Sequence, residues 1–106
     1  MSLERIIEAL TDIGLTRMQA EIYVYLAKKG PKTIAYLVKT HLFNEKEIRQ
    51  SLIFLQKNGL VTKNQILYCA LPFEEALMLL IETKKQLAQN MSQNKKELLT
   101  NWKLNE

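Results

Sequence analysis

From Pro72 to Trp102 the chain runs without a glycine or a second proline. Pro72 is suited to open a helix there, and Glu74 and Glu75 fall in its first turn, where the macrodipole favours carboxylates. At 1.5 Å per residue, a helix over this stretch is roughly 45 Å long. A chain of 106 residues, 47% of them apolar, forms one domain with one modest core. A domain that small cannot cover such a helix along its whole length. Leu77, Leu80, Leu87, Met91 and Leu98 recur along it at spacings of three, four and seven. Lys84, Asn94 and Asn101 interrupt this seam, so it is no ideal coiled coil. Such polar residues often select register and pairing geometry at some cost in stability. Two arrangements satisfy the pattern: folding back on Leu3, Ile6 and Leu10 of the same chain, or a seam shared with a second copy. The length favours the shared seam, with the first helix packed beside it.

The remaining punctuation divides the chain upstream of Pro72. Leu3, Ile6, Ile7 and Leu10 repeat at helical spacing and stop at Gly14, a natural left-handed C′ residue. Thr16 opens a second helix, with Gln19 completing a capping box. Its apolar positions Ile22, Tyr23, Tyr25, Leu26 and Ala27 lead to Gly30-Pro31. Thr33 caps a short helix that ends near Thr40, and the turn His41-Leu42-Phe43 leads to Asn44, the cap of the next helix. After Gly59 the period changes. The segments LVTK and ILYCAL are rich in β-branched and aromatic residues and are separated by Asn64-Gln65. Asn tolerates positive φ, so a tight hairpin is expected there. The order of helix, helix, short helix, helix, hairpin and long helix predicts a mainly α fold with a small β-hairpin. The expected organisation is a winged helix-turn-helix over residues 1–72, followed by a C-terminal dimerisation helix over 73–106.

The helix after Asn44 has two faces. Ile48, Leu52 and Leu55 form the stripe that packs on the preceding helices. Lys46, Arg49, Gln50, Ile53 and Lys57 fall at i, i+3, i+4, i+7 and i+11 and share the outward face. Arg suits guanine edges and Gln adenine edges, whereas Lys46 and Lys57 suit phosphates, which set register without reading sequence. A solvated face with no partner is the competing reading. The first turn, Glu45-Lys46-Glu47, is acidic, and carboxylates repel phosphates. Asn44 and Glu47 form a capping box, which gives part of that turn a structural reason. Lys32 and Lys39 lie on or before the short helix that would cross the phosphate backbone, with simple solvation as the competing reading. Tyr36 lies there too, with core packing as its alternative. Lys63 and Gln65 sit at the wing tip, where two outcomes are open: contact with a minor groove, or a tip too short to meet the duplex.

Composition narrows the remaining classes. The net charge is +4, and all of it falls in residues 1–72, which carry ten Lys and Arg against six Asp and Glu. That placement suits contact with a polyanion. The chain has one cysteine (Cys69), one histidine (His41) and one aspartate (Asp12), with no ligand-like spacing, so no metal or other cofactor is expected. His41 is expected in an exposed turn and Cys69 as a small core residue. No nucleophile–base pair, phosphate-cradling glycine loop or paired carboxylates are evident, which argues against an enzyme. No apolar run reaches the length of a membrane span, and MSLERIIEAL lacks a signal-peptide pattern. A cytoplasmic protein without membrane association is therefore expected.

These residues carry a family resemblance. Ile13-Gly14-Leu15-Thr16, Ala20-Glu21-Ile22-Tyr23, Gly30-Pro31 and Thr33-Ile34-Ala35 resemble the winged-helix domain of the TrmB-like archaeal transcriptional regulators. Leu52, Leu55, Lys57 and Gly59-Leu60-Val61 continue the likeness, as does Tyr68-Cys69-Ala70-Leu71-Pro72-Phe73-Glu74-Glu75-Ala76-Leu77. Two features depart from the family pattern. Asn44-Glu45-Lys46 stands where a Pro-Arg-Ser-like stretch commonly begins the recognition helix. The wing is short, with Lys63 its only cation. The large sugar-binding domain of longer members has no counterpart in this sequence. The resemblance implies a homodimeric transcriptional regulator that binds double-stranded DNA sequence-specifically; a small-molecule effector is not specified. A winged-helix module that has lost DNA contact and binds protein instead is the alternative, using Ile53, Phe54 and the acidic first turn.

Overall fold

The computed structural model describes residues 3–40 and 43–105. Six helices and one hairpin follow in order: α1 (Leu3–Asp12), α2 (Arg17–Lys29), α3 (Ile34–Thr40), α4 (Glu45–Lys57), β1 (Val61–Asn64), β2 (Leu67–Ala70), α5 (Phe73–Gln93) and α6 (Lys95–Leu104). The described residues are thus mainly helical, with one two-stranded antiparallel sheet among them.

Helix ends follow local chemistry. At α2 the Thr16 hydroxyl accepts from the Gln19 N–H at 3.1 Å, and the Gln19 side chain accepts from the Thr16 N–H at 3.0 Å. Helices α1 and α4 stop by one shared device. Gly14 and Gly59 have φ of +125° and +78°, where a side chain would be strained. The following leucine N–H groups then reach back, Leu15 to the Leu10 carbonyl and Leu60 to that of Leu55. All four leucines are buried. Each stop therefore satisfies a terminal carbonyl and also turns a leucine into the core.

Helix α2 lies at the centre, packed against α1, α4 and β2. It buries Ala20, Ile22, Tyr23, Val24 and Leu26. The expected stripe is corrected at three positions: Val24 is buried, Tyr25 is half-buried and Ala27 is exposed. An element with neighbours on several sides cannot keep a one-sided stripe. The Tyr23 hydroxyl donates to the Leu71 carbonyl, tying α2 to the link between the hairpin and α5. An Arg17 guanidinium fork on both Glu4 oxygens, at 2.6 and 2.7 Å, joins α2 to α1. It holds the Glu4 carboxyl below the usual carboxylate range.

The hairpin register pairs Asn64 with Leu67, so the turn residues are Gln65 and Ile66, one position later than expected. Positive φ accordingly falls on Gln65, at +60°, and not on Asn64. On the other edge of β2, Lys32 and Tyr68 exchange both backbone hydrogen bonds, at 3.2 and 2.8 Å.

The C-terminal helix also departs from expectation. It is divided at Asn94, whose φ and ψ of −95° and 6° end α5. Asn competes poorly for helix interiors, and every residue from Ile81 to Asn105 is exposed, so no packing holds Asn94 straight. Pro72 stands at the N-cap and not inside the first turn. Leu10 was expected at a shared seam, but it is 0% exposed in the core of its own chain. Leu3 is exposed and Ile6 half-buried. Lys84 does more than interrupt the seam: its ammonium donates to the Asp12 carbonyl at 3.1 Å, where α1 ends.

Burial pushes the Tyr23 hydroxyl up to about 12 from its ordinary 10.0. An unfolded chain ionises the phenol near the ordinary value, so below about pH 10 both states are protonated and stability does not vary with pH through this group. Stability should then fall between about pH 10 and 12, by roughly 1–3 kcal/mol from this residue. Urea denaturation across that range should show the loss. Tyr23→Phe should remove this part of the pH dependence while costing about 1 kcal/mol at neutral pH.

Candidate nucleic-acid interface

Helix α4 presents the candidate surface because its cap and its buried stripe orient it. The Asn44 side chain accepts from the Glu47 N–H at 2.8 Å, and Glu47 accepts from the Asn44 N–H at 3.1 Å. Ile48, Ser51, Leu52 and Leu55 are buried. Ser51 is a buried polar residue added to the expected stripe. On the opposite face Lys46, Arg49, Gln50, Ile53 and Lys57 are all exposed, as the helical spacing predicts.

The acidic first turn has two separate roles. Glu47 serves the cap. Glu45 accepts from the Arg49 Nε at 3.0 Å, one helical turn away. This pair is exposed, so it adds little to stability, but it directs the guanidinium. The two terminal nitrogens of Arg49 remain outside this contact. Sequence spacing of four was the available signal for the pair.

Tertiary packing brings Arg49 and Lys63 into one cleft of about 210 Å³, lined also by Thr33, Ile34, Ile66 and Tyr68. The Lys63 ammonium lies 5.5 Å from the Tyr68 ring centroid. Lys32 is half-buried. Its backbone bridges to Tyr68, and its ammonium sits 4.6 Å from the Tyr36 ring centroid. Tyr36 is exposed, so core packing does not account for it. It lies 6.4 Å from Tyr25, and a hydrogen bond between the two hydroxyls lowers the pKa of Tyr25 and raises that of Tyr36. Lys39 stands three residues beyond Tyr36 on α3 and is exposed. Gln65 is exposed in the hairpin turn beside Ile66, which is 69% exposed and was not anticipated.

Among the expected seam residues, Leu77 and Leu80 are half-buried, while Leu87, Met91 and Leu98 are exposed. Cys69 is half-buried in β2, at the edge of the core and not inside it. His41 lies outside the described residues. Among the described residues, no group of three or more His, Cys, Asp or Glu side chains is placed to hold a metal. No helix among them is long and apolar enough to cross a membrane.

The two carboxylates of the first turn should separate in a stability measurement. Asn44→Ala removes the cap acceptor and should destabilise the protein by about 1 kcal/mol. Glu45→Gln should change stability by less than about 0.5 kcal/mol, since it alters only an exposed pair. Denaturant titration of both variants checks the difference.

No protein-family model matches the chain, and no curated protein matches it.

Proposed function

We propose that this protein is a sequence-specific DNA-binding transcriptional regulator of the TrmB-like type, built as a winged helix-turn-helix and acting as a homodimer. In this reading α3 and α4 are the helix-turn-helix, the β1–β2 hairpin is the wing, and α5 with α6 supplies the dimer contact. One observation carries it: an exposed α4 face of Lys46, Arg49, Gln50 and Lys57, backed by buried Ile48, Leu52 and Leu55. A helix so anchored can enter a major groove with its polar face foremost. Arg49 and Gln50 would read base edges. Lys32, Lys39, Lys46, Lys57 and Lys63 would neutralise phosphates. The Glu45 carboxylate opposes this, both by repelling phosphate and by holding Arg49 through Nε.

A second reading is favoured by the apolar side chains near the same face. Ile53 is 62% exposed, Phe54 adjoins it at 37%, and Ile66 projects from the hairpin turn. A protein-binding module that makes no DNA contact would use such residues.

Duplex binding measured across a salt series distinguishes the two. Affinity should fall steeply as salt rises, because each neutralised phosphate releases counterions. Arg49→Ala and Gln50→Ala should each cost roughly 1–3 kcal/mol and relax sequence preference. Lys57→Ala should weaken all sequences about equally. Glu45→Gln should tighten binding, most visibly at low salt, where repulsion is least screened. Absence of duplex binding at low salt, or binding untouched by Arg49→Ala and Lys57→Ala, would sink the regulator reading in favour of the module.

A further inference from the structure

The C-terminal segment carries an apolar stripe out of the body of the molecule. Leu80 is half-buried against the core, but Leu87, Met91 and Trp102 are 59%, 65% and 71% exposed. At the point of departure lies an apolar groove of about 320 Å³, lined by Ile13, Leu15, Phe54, Leu80 and Leu87 among others. Lys84 also borders it, held by the Asp12 carbonyl.

Charge along the segment is segregated. Between Phe73 and Thr83 stand Glu74, Glu75 and Glu82, with no cation. Between Lys84 and Glu106 stand five lysines and two carboxylates, Glu97 and Glu106. Two copies aligned in parallel would set one basic half beside the other. Two copies aligned antiparallel set each basic half beside an acidic half, which lowers the electrostatic energy of pairing.

The seam supplies a register. Mirroring the segment about Gln89 brings Leu80 level with Leu98 and Leu87 level with Met91, apolar beside apolar. The same mirror brings Lys84 level with Asn94, so two of the three polar interruptions meet each other. In parallel alignment Lys84 would instead face its own copy. The bonds from Asn94 N–H to Asn90 O (3.1 Å) and from Leu98 N–H to Asn94 O (2.9 Å) carry the helical rise across the break, so the register survives it.

From the groove, the segregated charge and the mirrored seam, we infer that a second copy of this chain pairs antiparallel with α5 and α6, centred on Gln89. Helix α6 of each copy lies over the groove beside Leu80 of the other. The inference rests on the homodimer reading above and adds its orientation and register.

Nitroxide labels on the full chain test it, in a Cys69→Ser background with single cysteines at Gln89→Cys or Lys103→Cys. In the antiparallel pair the two Lys103 sites stand about 42 Å apart along the axis, at 1.5 Å per residue. In a parallel pair they stand side by side, within roughly 25 Å including the label arms. Pulsed dipolar spectroscopy should give a short distance at position 89 and a long one at 103. Short distances at both positions would overturn the orientation and leave the homodimer standing. Absence of dipolar coupling at either position, with a monomer by sedimentation, would overturn orientation and homodimer together. Neither result bears on DNA binding, which the salt series tests separately.

Discussion

The burial of α2 is the constraint on which the rest of the molecule depends. Ile22, Tyr23 and Val24 are consecutive buried residues, which a helix permits only when it has neighbours on more than one side. Those neighbours are α1, α4 and β2. Removing any of them would expose part of α2. The Tyr23 hydroxyl extends the same constraint to the Leu71 carbonyl, just before α5 leaves the core. Both the outward face of α4 and the direction of the C-terminal segment are thus set by one central helix.

Helix α4 shows how stability and charge compete within a few residues. A first turn of Glu45, Lys46 and Glu47 suits the positive end of a helix dipole and completes the Asn44 cap. The same turn lowers the positive potential of the face that also carries Arg49 and Lys57. Part of the conflict is resolved locally, since Glu45 spends its charge on Arg49 and Glu47 on the cap. The exposed Ile53 beside them separates the cationic side chains and gives the face a mixed character.

At the other end the chemistry is apolar. Helices α5 and α6 keep a spacing of leucine, methionine and tryptophan that a solvated helix does not require, yet all of it from Ile81 onward is exposed. Lys84 anchors this arm to the end of α1, and beyond that contact the helix extends without cover. The molecule accordingly measures 51 Å along one axis and 29 and 27 Å along the others.

What the sequence determined by itself was local. The capping boxes at Thr16 and Asn44, the glycine stops at 14 and 59 and the outward spacing of Lys46, Arg49, Gln50 and Lys57 all depend on residues within a few positions of one another. Hydrogen bonds of three or four residues' span and the 3.6-residue period carry that information directly. Even here one local feature was missed by a residue, because Gln65 takes the positive φ that Asn64 would tolerate better. The observed register, with Asn64 paired to Leu67, places Gln65 first in the turn. Tertiary structure alone decided the rest: the withdrawal of Leu10 into the core, the meeting of Arg49 and Lys63 in one cleft, the Lys32–Tyr68 bridge and the grip of Lys84 on Asp12. These join residues far apart in the chain, and their partners are chosen by how the helices pack, which no single segment encodes.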